Sequence, residues 1–190
     1  MNETVIIKKI KELRASRKLS LDKLAGLTGF TKGYLSRIEN SDKAPPIYTL
    51  SRISQALGVD IAQFFSDNEH APQEQNYSIS RRGERVRVGG RGTPYGYDYE
   101  AVAPDKAGKN MEPYVVTIDF KTKTEFRHEG EELLFVLEGK LEFFLNKERF
   151  VLEQGDSIYF DAHLPHSGRS LGEKNAKMLI VVYSYKRMLL

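Results

Sequence analysis

The chain has 190 residues, of which 40% are hydrophobic and 29% are charged. A single domain takes roughly 100–200 residues, so this length fits one large domain or two small ones. Ten Phe and ten Tyr can fill a core, while 15 Gly and 7 Pro are too few for a fibrous or disordered chain. The absence of cysteine excludes disulfides, thiolate catalysis and zinc–thiolate sites.

The sequence shows no sign of membrane insertion or secretion. No uninterrupted apolar run approaches the roughly 18 residues that span a bilayer. The N-terminal apolar patch at residues 5–7 is interrupted at once by Lys8 and Lys9, so it is too short for a signal peptide. We therefore expect a soluble, cytoplasmic protein with no membrane partner.

The net charge of +3 is distributed unevenly along the chain. Through Ser66 there are 11 Lys and Arg against 6 Asp and Glu, whereas residues 67–80 carry 3 acids and no base. The remainder is close to neutral. This pattern favours a small basic module that faces a polyanion, followed by a larger neutral one. The alternative is ordinary surface charge.

The hydrophobic periodicity predicts two different domains. Before Ser66, apolar residues recur at helical spacing, and Ser20, Thr31 and Asp60 are suitable N-caps. These segments predict five short helices in residues 1–66, which is a compact all-α domain. Residues 67–76 contain almost nothing apolar and are predicted to be an exposed linker. Residues 77–190 contain several short strand-like runs separated by Gly, Asn and Asp turns, typical of an all-β sandwich or barrel.

The stretch from Leu19 to Asn40 predicts two short helices that meet at a tight turn containing Gly29. This arrangement is that of a helix-turn-helix, whose second helix enters the major groove of DNA. Leu35 and Ile38 would face the core, so the opposite face of the second helix would be exposed. The polar residues that we predict to bind DNA are Ser20, Thr31, Lys32, Gly33, Tyr34, Ser36, Arg37, Asn40 and Lys43.

Residues 5–65 resemble a lambda-repressor/Cro-like (XRE-type) helix-turn-helix domain, including Pro45-Pro46 before the fourth helix. The resemblance implies a double-stranded DNA operator as partner. One departure is Leu21, where the family often has a polar residue that binds phosphate. The alternative is a helical bundle that serves only in dimerisation or packing.

The segment from Phe126 to Gly139, followed by Gly155-Asp156 and Pro165-His166, resembles the two motifs of the cupin family. The resemblance implies a double-stranded β-helix, a barrel of the jelly-roll type. The family's metal ligands correspond here to His128, Glu132 and His166. The remaining histidine position is Phe126, which cannot bind a metal.

Two interpretations of this triad remain open. Two imidazoles and a carboxylate suit one divalent metal such as Fe, Ni or Zn, and they are the ligand set of non-haem iron oxygenases. Alternatively, the histidines are hydrogen-bonded residues in a pocket without metal. His163 corresponds to no ligand position.

Two further segments are candidates for binding. Tyr95, Tyr97 and Tyr99 alternate, so on a strand they would share a face and could bind an effector at the barrel mouth; the alternative is a structural strand. An arginine run follows the linker and either contacts an anion or is simply solvated; it consists of Arg81, Arg82, Arg85, Arg87 and Arg91.

Together the two halves resemble the XRE–cupin transcriptional regulators, in which a DNA-binding domain precedes a sensor of a small-molecule effector. The resemblance implies a homodimer without catalytic residues. The rival is an enzyme, because hydroxypropylphosphonate epoxidase, a mononuclear iron enzyme, has the same domain order and also lacks the first cupin histidine. The basic first domain and its polar helix face favour the regulator.

Overall fold

The computed structural model describes residues 3–65, 76–88, 97–106, 108–121 and 124–183. The chain divides into two compact units, residues 1–88 with 104–108 and residues 89–103 with 109–190. Within the described ranges, no helix is both long enough and apolar enough to cross a membrane. The predicted linker at 67–76 lies outside the described residues except for Asn76, so this boundary remains a prediction.

The first unit is built from α-helices packed around an apolar core. Ile6 and Ile10 of α1, Leu24 of α2 and Ile53 of α4 are buried in its core. The helices are α1 (Glu3–Ser16), α2 (Leu21–Thr28), α3 (Lys32–Glu39) and α4 (Ile47–Ala56).

The prediction of five helices is wrong for the described residues, which contain four α-helices. The segment predicted as the fifth helix, Ile61–Phe64, is a single 3-10 turn. The Asp60 carboxylate accepts a hydrogen bond from Ala62 N as expected, but the following bonds span three residues, from Gln63 N to Asp60 O and from Phe65 N to Ala62 O. Four residues are too few to establish the α-helical pattern.

The second unit consists of antiparallel β-strands, as the sequence predicts. A two-residue strand, β1 (Val86–Arg87), precedes it in the first unit. The strands of the second unit are β2 (Tyr97–Ala101), β3 (Met111–Ile118), β4 (Glu131–Glu138), β5 (Lys140–Leu145), β6 (Glu148–Glu153), β7 (Ser157–Asp161), β8 (His166–Leu171) and β9 (Lys177–Tyr183).

The strands of the second unit belong to two sheets. One contains β2, β3, β9, β4 and β7 in that order, and the other contains β6, β5 and β8. Because side chains alternate along a strand, the registers place Glu132 of β4 beside the buried Phe160 of β7 on one face. In the second sheet, His166 of β8 is paired with Leu145 of β5 and is buried.

The turn between β4 and β5 requires glycine at position 139. Gly139 has a φ of 79°, and a Cβ atom there would lie 3.1 Å from Ala176 Cα and 3.2 Å from Asn175 O. A side chain would therefore be disfavoured by both backbone conformation and packing. This turn directs β5 into the second sheet.

Candidate functional site

Three local hydrogen bonds define the start of α2, the end of α2 and the start of α3. Ser20 Oγ accepts a bond from Lys23 N at 3.1 Å, and Thr31 Oγ1 accepts one from Tyr34 N at 3.2 Å. Between the helices, Gly29 has a φ of 75° and donates its N–H to Ala25 O. The two N-caps and the glycine C-cap fix where each helix begins and ends.

The inner face of α3 is anchored to the core. Leu35 is 1% exposed and Ile38 is 6% exposed. At the end of α3, both carboxylate oxygens of Glu39 accept hydrogen bonds from Arg14 of α1, at 2.6 and 2.8 Å. A third bond joins Arg14 to Leu19 O at 2.7 Å. The bond to Glu39 raises the pKa of Arg14, and this bidentate pair holds α3 against α1.

The opposite face of α3 is accessible to a partner. Seven of the nine residues predicted to bind DNA are exposed: Ser20, Thr31, Lys32, Gly33, Arg37, Asn40 and Lys43. The other two, Tyr34 and Ser36, are half-buried. The exposed set includes three cations and polar groups that hydrogen-bond phosphates and base edges.

Tyr34 and Asn40 have structural partners that the sequence analysis did not foresee. The Tyr34 ring packs edge-on against Phe30 with centroids 5.3 Å apart, and its hydroxyl lies 3.3 Å from Thr49 Oγ1. Asn40 Nδ2 donates to Ser36 O at 2.8 Å. Some of the hydrogen-bonding groups of Tyr34 and Asn40 therefore already have partners within the domain.

An acidic residue that the sequence analysis missed lies next to the exposed face of α3. Lys32 Nζ is 2.8 Å from Asp22 Oδ2 of α2, and both side chains are well exposed. Asp22 and Lys32 are ten residues apart, and nothing in the sequence indicated that they would be in contact. The turn between α2 and α3 brings the two positions together. A phosphate approaching Lys32 would compete with this carboxylate.

The structure brings the three predicted metal ligands together. His128, Glu132 and His166 each offer one ligand atom, and these atoms all lie within 4.8 Å of one another. His128 Nε2 is 2.7 Å from Glu132 Oε1, and His166 Nε2 is 3.9 Å from the same oxygen. All three side chains are less than 10% exposed. The cluster therefore could hold a metal ion.

Hydrogen bonds orient both imidazoles for this role. His166 Nδ1 is 2.8 Å from Leu164 O, and His128 Nδ1 is 3.2 Å from Glu129 O. A carbonyl oxygen can only accept, so each Nδ1 carries the proton and each Nε2 is left to act as a ligand. Burial lowers the pKa of His166, which favours the neutral, metal-binding form.

The donor set itself fits a cation. With Nδ1 protonated, a neutral His128 would present a lone pair to Glu132 Oε1 at 2.7 Å, and two acceptors at this distance repel unless a cation lies between them. A proton or a metal ion can fill that position. His166 supplies a third donor to the same place, as a metal ion would require.

Phe126 occupies the position of the missing histidine and packs against the triad. Its backbone pairs with that of His166 through two hydrogen bonds, and its ring stacks on the His166 ring at 6.1 Å. The Tyr97 ring in turn stacks on Phe126 at 5.1 Å. Aromatic side chains therefore surround one side of the triad.

The predicted effector residues are only partly described. Tyr97 is buried, and its hydroxyl bonds Gly168 at 3.2 Å. Tyr97 and Tyr99 contact each other edge-on at 6.0 Å, and burial raises the pKa of both phenols. Tyr95 lies outside the described residues.

The arginine run after the predicted linker is also only partly described, because Arg91 lies outside the described residues. Within the run, Arg81, Arg82 and Arg87 are exposed. His163, which corresponds to no ligand position, is exposed as well.

A cluster on the three-stranded sheet also escaped the sequence analysis. Glu142 of β5 is 2% exposed, and its carboxylate accepts hydrogen bonds from Arg149 Nε at 2.6 Å and from Arg169 Nε. These bonds lower the pKa of Glu142. The three residues come from three different strands, so the sequence offers no local signal for the cluster.

Comparison with known proteins finds a family match over each of the two regions that contain these residues. Residues 10–64 match the family described as Helix-turn-helix, and residues 115–183 match the family described as Cupin domain. The chain contains a helix-turn-helix domain and a cupin domain. The recognised helix-turn-helix region includes α2 and α3, and the recognised cupin region includes all three members of the triad.

The proteins that are similar to this chain include transcriptional regulators and an epoxidase. The chain is 26% identical to the HTH-type transcriptional regulator PuuR of Escherichia coli over 162 residues, covering 84% of each chain. It is 27% identical to (S)-2-hydroxypropylphosphonic acid epoxidase of Streptomyces wedmorensis, covering 90% of this chain and 92% of the enzyme. A crystal structure of an HTH_3 family transcriptional regulator from Vibrio cholerae matches with a TM-score of 0.60 and 27% identity, covering 97% of this chain and 98% of the other.

Proposed function

We propose that this protein is a DNA-binding transcriptional regulator whose cupin domain binds a small-molecule effector. The observation that carries the proposal is the exposed face of α3, where Thr31, Lys32 and Arg37 are accessible while Leu35 and Ile38 are buried. A helix anchored on one side and polar on the other is what major-groove binding requires. The similarity to HTH-type regulators over most of the chain supports the same function.

The regulator acts as a cytoplasmic homodimer that binds a pseudo-palindromic operator. In dimeric helix-turn-helix proteins, two recognition helices occupy half-sites about 34 Å apart. Lys32, Ser36 and Arg37 contact bases or phosphates, while Ser20, Thr31 and Lys43 contact the backbone of the DNA. Gly33 lets the helix approach closely, and Tyr34 and Asn40 support the surface.

The effector binds inside a jelly-roll barrel, next to the triad. Tyr97, Tyr99 and Phe126 provide an apolar wall, and His128, Glu132 and His166 hold one divalent metal. This ligand set suits Fe(II), Ni(II) or Zn(II). When bound, the metal supplies a fixed positive charge with open positions for a ligand oxygen or nitrogen. The effector changes operator affinity only if it binds more tightly to one arrangement of the dimer.

A second function, that of a mononuclear iron oxygenase or epoxidase, is favoured by one observation. The triad consists of two histidines and one glutamate, and the chain is similar to the epoxidase over 90% of its length. In that case the cupin domain would bind a small anionic substrate. The regulator is better supported, because two HTH-type transcriptional regulators and a solved HTH_3 family regulator are similar to the chain over 84%, 87% and 97% of its length.

One experiment separates the two functions. Purified protein is used to select binding sequences from random duplex DNA, and affinity for the selected site is measured by fluorescence anisotropy with and without added metal. We expect enrichment of a two-fold symmetric site. In parallel, Fe(II)-loaded protein is assayed for consumption of oxygen or peroxide with small phosphonates and carboxylates. Failure to select any site, together with oxidant consumption that is lost in Glu132→Ala, would replace the regulator with the enzyme.

A further inference from the structure

The side of the three-stranded sheet that faces away from the triad carries a buried carboxylate. Phe143 of β5 points toward the triad, since its ring lies 5.3 Å from that of Phe160, which lies 5.0 Å from the His166 ring. Side chains alternate along a strand, so the neighbouring Glu142 points to the opposite side of the sheet. A ligand bound at Glu142 would therefore be separate from one bound at the triad.

Two arginines converge on Glu142 from the strands on either side of β5. Arg169 of β8 is its direct cross-strand partner, while Arg149 of β6 lies diagonally, two residues from the other partner, Val151. Arg149 Nε donates a hydrogen bond to Glu142 Oε1 at 2.6 Å, and Arg169 Nε donates one to Oε2. Each carboxylate oxygen thus holds one guanidinium group. We call Glu142, Arg149 and Arg169 the Glu142 cluster.

The two arginines of the cluster have hydrogen-bond donors that Glu142 does not use. A guanidinium group carries N–H donors on Nη1 and Nη2 as well as on Nε. Among the residues that the structure describes, Glu142 is the only hydrogen-bond partner of Arg149 and of Arg169. The arginine side chains are 57% and 47% exposed, whereas that of Glu142 is 3% exposed. The accessible part of the cluster therefore consists of guanidinium groups.

The Glu142 cluster carries a net positive charge. Hydrogen bonds from Arg169 and Arg149 lower the pKa of Glu142, so one carboxylate faces two guanidinium ions at neutral pH. In the adjacent row of the sheet, Lys140 and Glu153 lie 2.7 Å apart and neutralise each other. The other neighbours on this side are uncharged: Val151, Phe144 and Ser167. One positive charge is thus left for an anion.

We propose that the Glu142 cluster binds one phosphate group, either as the free ion or as the ester of a small molecule. Glu142 already holds both guanidinium groups in place, so little side-chain entropy is lost when the anion binds. Two guanidinium groups from different strands match the several oxygens of a tetrahedral phosphate, whereas one such group is enough for a planar carboxylate. Ser167 lies two residues before Arg169 on the same side of β8, and its hydroxyl supplies a further donor.

The test is a calorimetric titration of the full-length protein, from which metal has been removed with a chelator. Inorganic phosphate is the first probe and methyl phosphate is the second. We expect saturable binding with a dissociation constant of about 1 mM, the affinity that a few charge-assisted hydrogen bonds provide. Binding of both probes would show that the cluster accepts a phosphate ester, and binding of inorganic phosphate alone would assign it to the free ion.

Substitutions of Arg169 separate recognition by the cluster from general attraction between charges. Arg169→Gln should weaken phosphate binding by roughly 10-fold or more, because charge-assisted hydrogen bonds are lost. Arg169→Lys should weaken it nearly as much, since an ammonium group keeps the charge but not the planar fork. The matched control is Lys177→Gln, which removes a cation paired with Glu138 on the larger sheet and should change the affinity by less than about 2-fold.

A second variant keeps the test decisive if Arg169→Gln does not fold, which circular dichroism checks. Arg149→Gln changes the more exposed arginine, and we expect the same loss of affinity. The proposal would be overturned by the absence of saturable binding at about ten times the expected dissociation constant, or by wild-type affinity in Arg169→Lys or in Arg149→Gln. Because the titration contains neither DNA nor metal, its outcome is independent of the proposed function.

Discussion

The ammonium group of Lys32, on α3, lies 2.8 Å from the carboxylate of Asp22, on α2. Both side chains are at least 60% exposed, so the pair contributes little to stability. The pair matters for the proposed DNA binding, because the Asp22 carboxylate would repel a phosphate that approaches Lys32.

Asp22→Asn should therefore tighten DNA binding. We expect an increase in affinity of up to about 5-fold for operator and random DNA alike, since the pair is worth at most about 1 kcal/mol. Fluorescence anisotropy with both duplexes measures the change. Glu12→Gln, which alters an exposed carboxylate on α1, is the control and should have no effect. Weaker binding by Asp22→Asn would show that Asp22 instead positions Lys32 for DNA.

Arg37→Ala tests whether this side chain reads a base. Arg37 is exposed and belongs to the same face of α3 as Lys32. If it pairs with a guanine, its loss should cost about 1–3 kcal/mol at the operator and much less on random DNA. If it contacts only phosphate, the loss should be uniform and the salt dependence shallower. Full operator affinity in Lys32→Ala/Arg37→Ala would rule out this surface.

The bidentate pair between Arg14 and Glu39 should be important for the stability of the helical domain. Glu39→Ala leaves the half-buried Arg14 guanidinium without its charged partner, so we expect a loss of roughly 1.5–3 kcal/mol in the free energy of unfolding. Urea unfolding followed by circular dichroism at the helical wavelength measures it. Glu12→Ala breaks only the exposed pair with Lys8 and should change stability by less than about 0.5 kcal/mol. Equal effects of the two substitutions would contradict the prediction.

Metal binding should require His166, and it should become tighter when Phe126 is replaced by histidine. His166→Ala should abolish bound metal, whereas the exposed His163→Ala should retain it. Phe126→His should tighten binding, because its backbone already pairs with that of His166 and an imidazole there adds a fourth ligand. Mass spectrometry after purification without chelator, followed by chelator competition, gives metal content and relative affinity. Metal that survives in His166→Ala would place the site elsewhere.

The Glu142 cluster should make stability depend on acid pH. The pKa of Glu142 is lowered from its usual value of 4.5 by the hydrogen bonds from Arg169 and Arg149. A lowered folded-state pKa contributes stability above the unfolded pKa, and this contribution disappears as pH falls through the folded value. The difference in Tm between wild type and Glu142→Gln should thus be largest near pH 7 and shrink below about pH 4.5. Glu153→Gln, whose partner Lys140 is exposed, should show a smaller dependence.

Local pattern in the sequence predicts most of the helical domain. Ser20, Thr31 and Asp60 cap the segments that follow them, and Gly29 ends α2, because each of these features depends on neighbours within four residues. The spacing of Leu35 and Ile38 likewise determines which face of α3 is buried. The error at Ile61–Phe64 arose because a capping residue predicts where a helix begins but not how long it continues.

The local sequence pattern could not predict the strand that carries His166. The residues of β8, His-Ser-Gly-Arg-Ser-Leu, contain only one apolar side chain and no alternation. They form a strand because β5 supplies the backbone hydrogen bonds, with Leu145 paired to His166 and Leu141 to Ser170. Partners distant in sequence therefore determine this element.

By itself the sequence determined the order of the two kinds of domain and the buried and exposed faces of α3, because periodicity and capping depend on neighbouring residues. The triad residues came from the resemblance to the cupin family. Only the tertiary structure decided which carboxylate forms an ion pair with which cation. Asp22 with Lys32, Glu39 with Arg14, and Glu142 with Arg149 and Arg169 are each brought together by the turn or the strand pairing between them. Electrostatic partners act through distance in space, and the chain must fold before those distances exist.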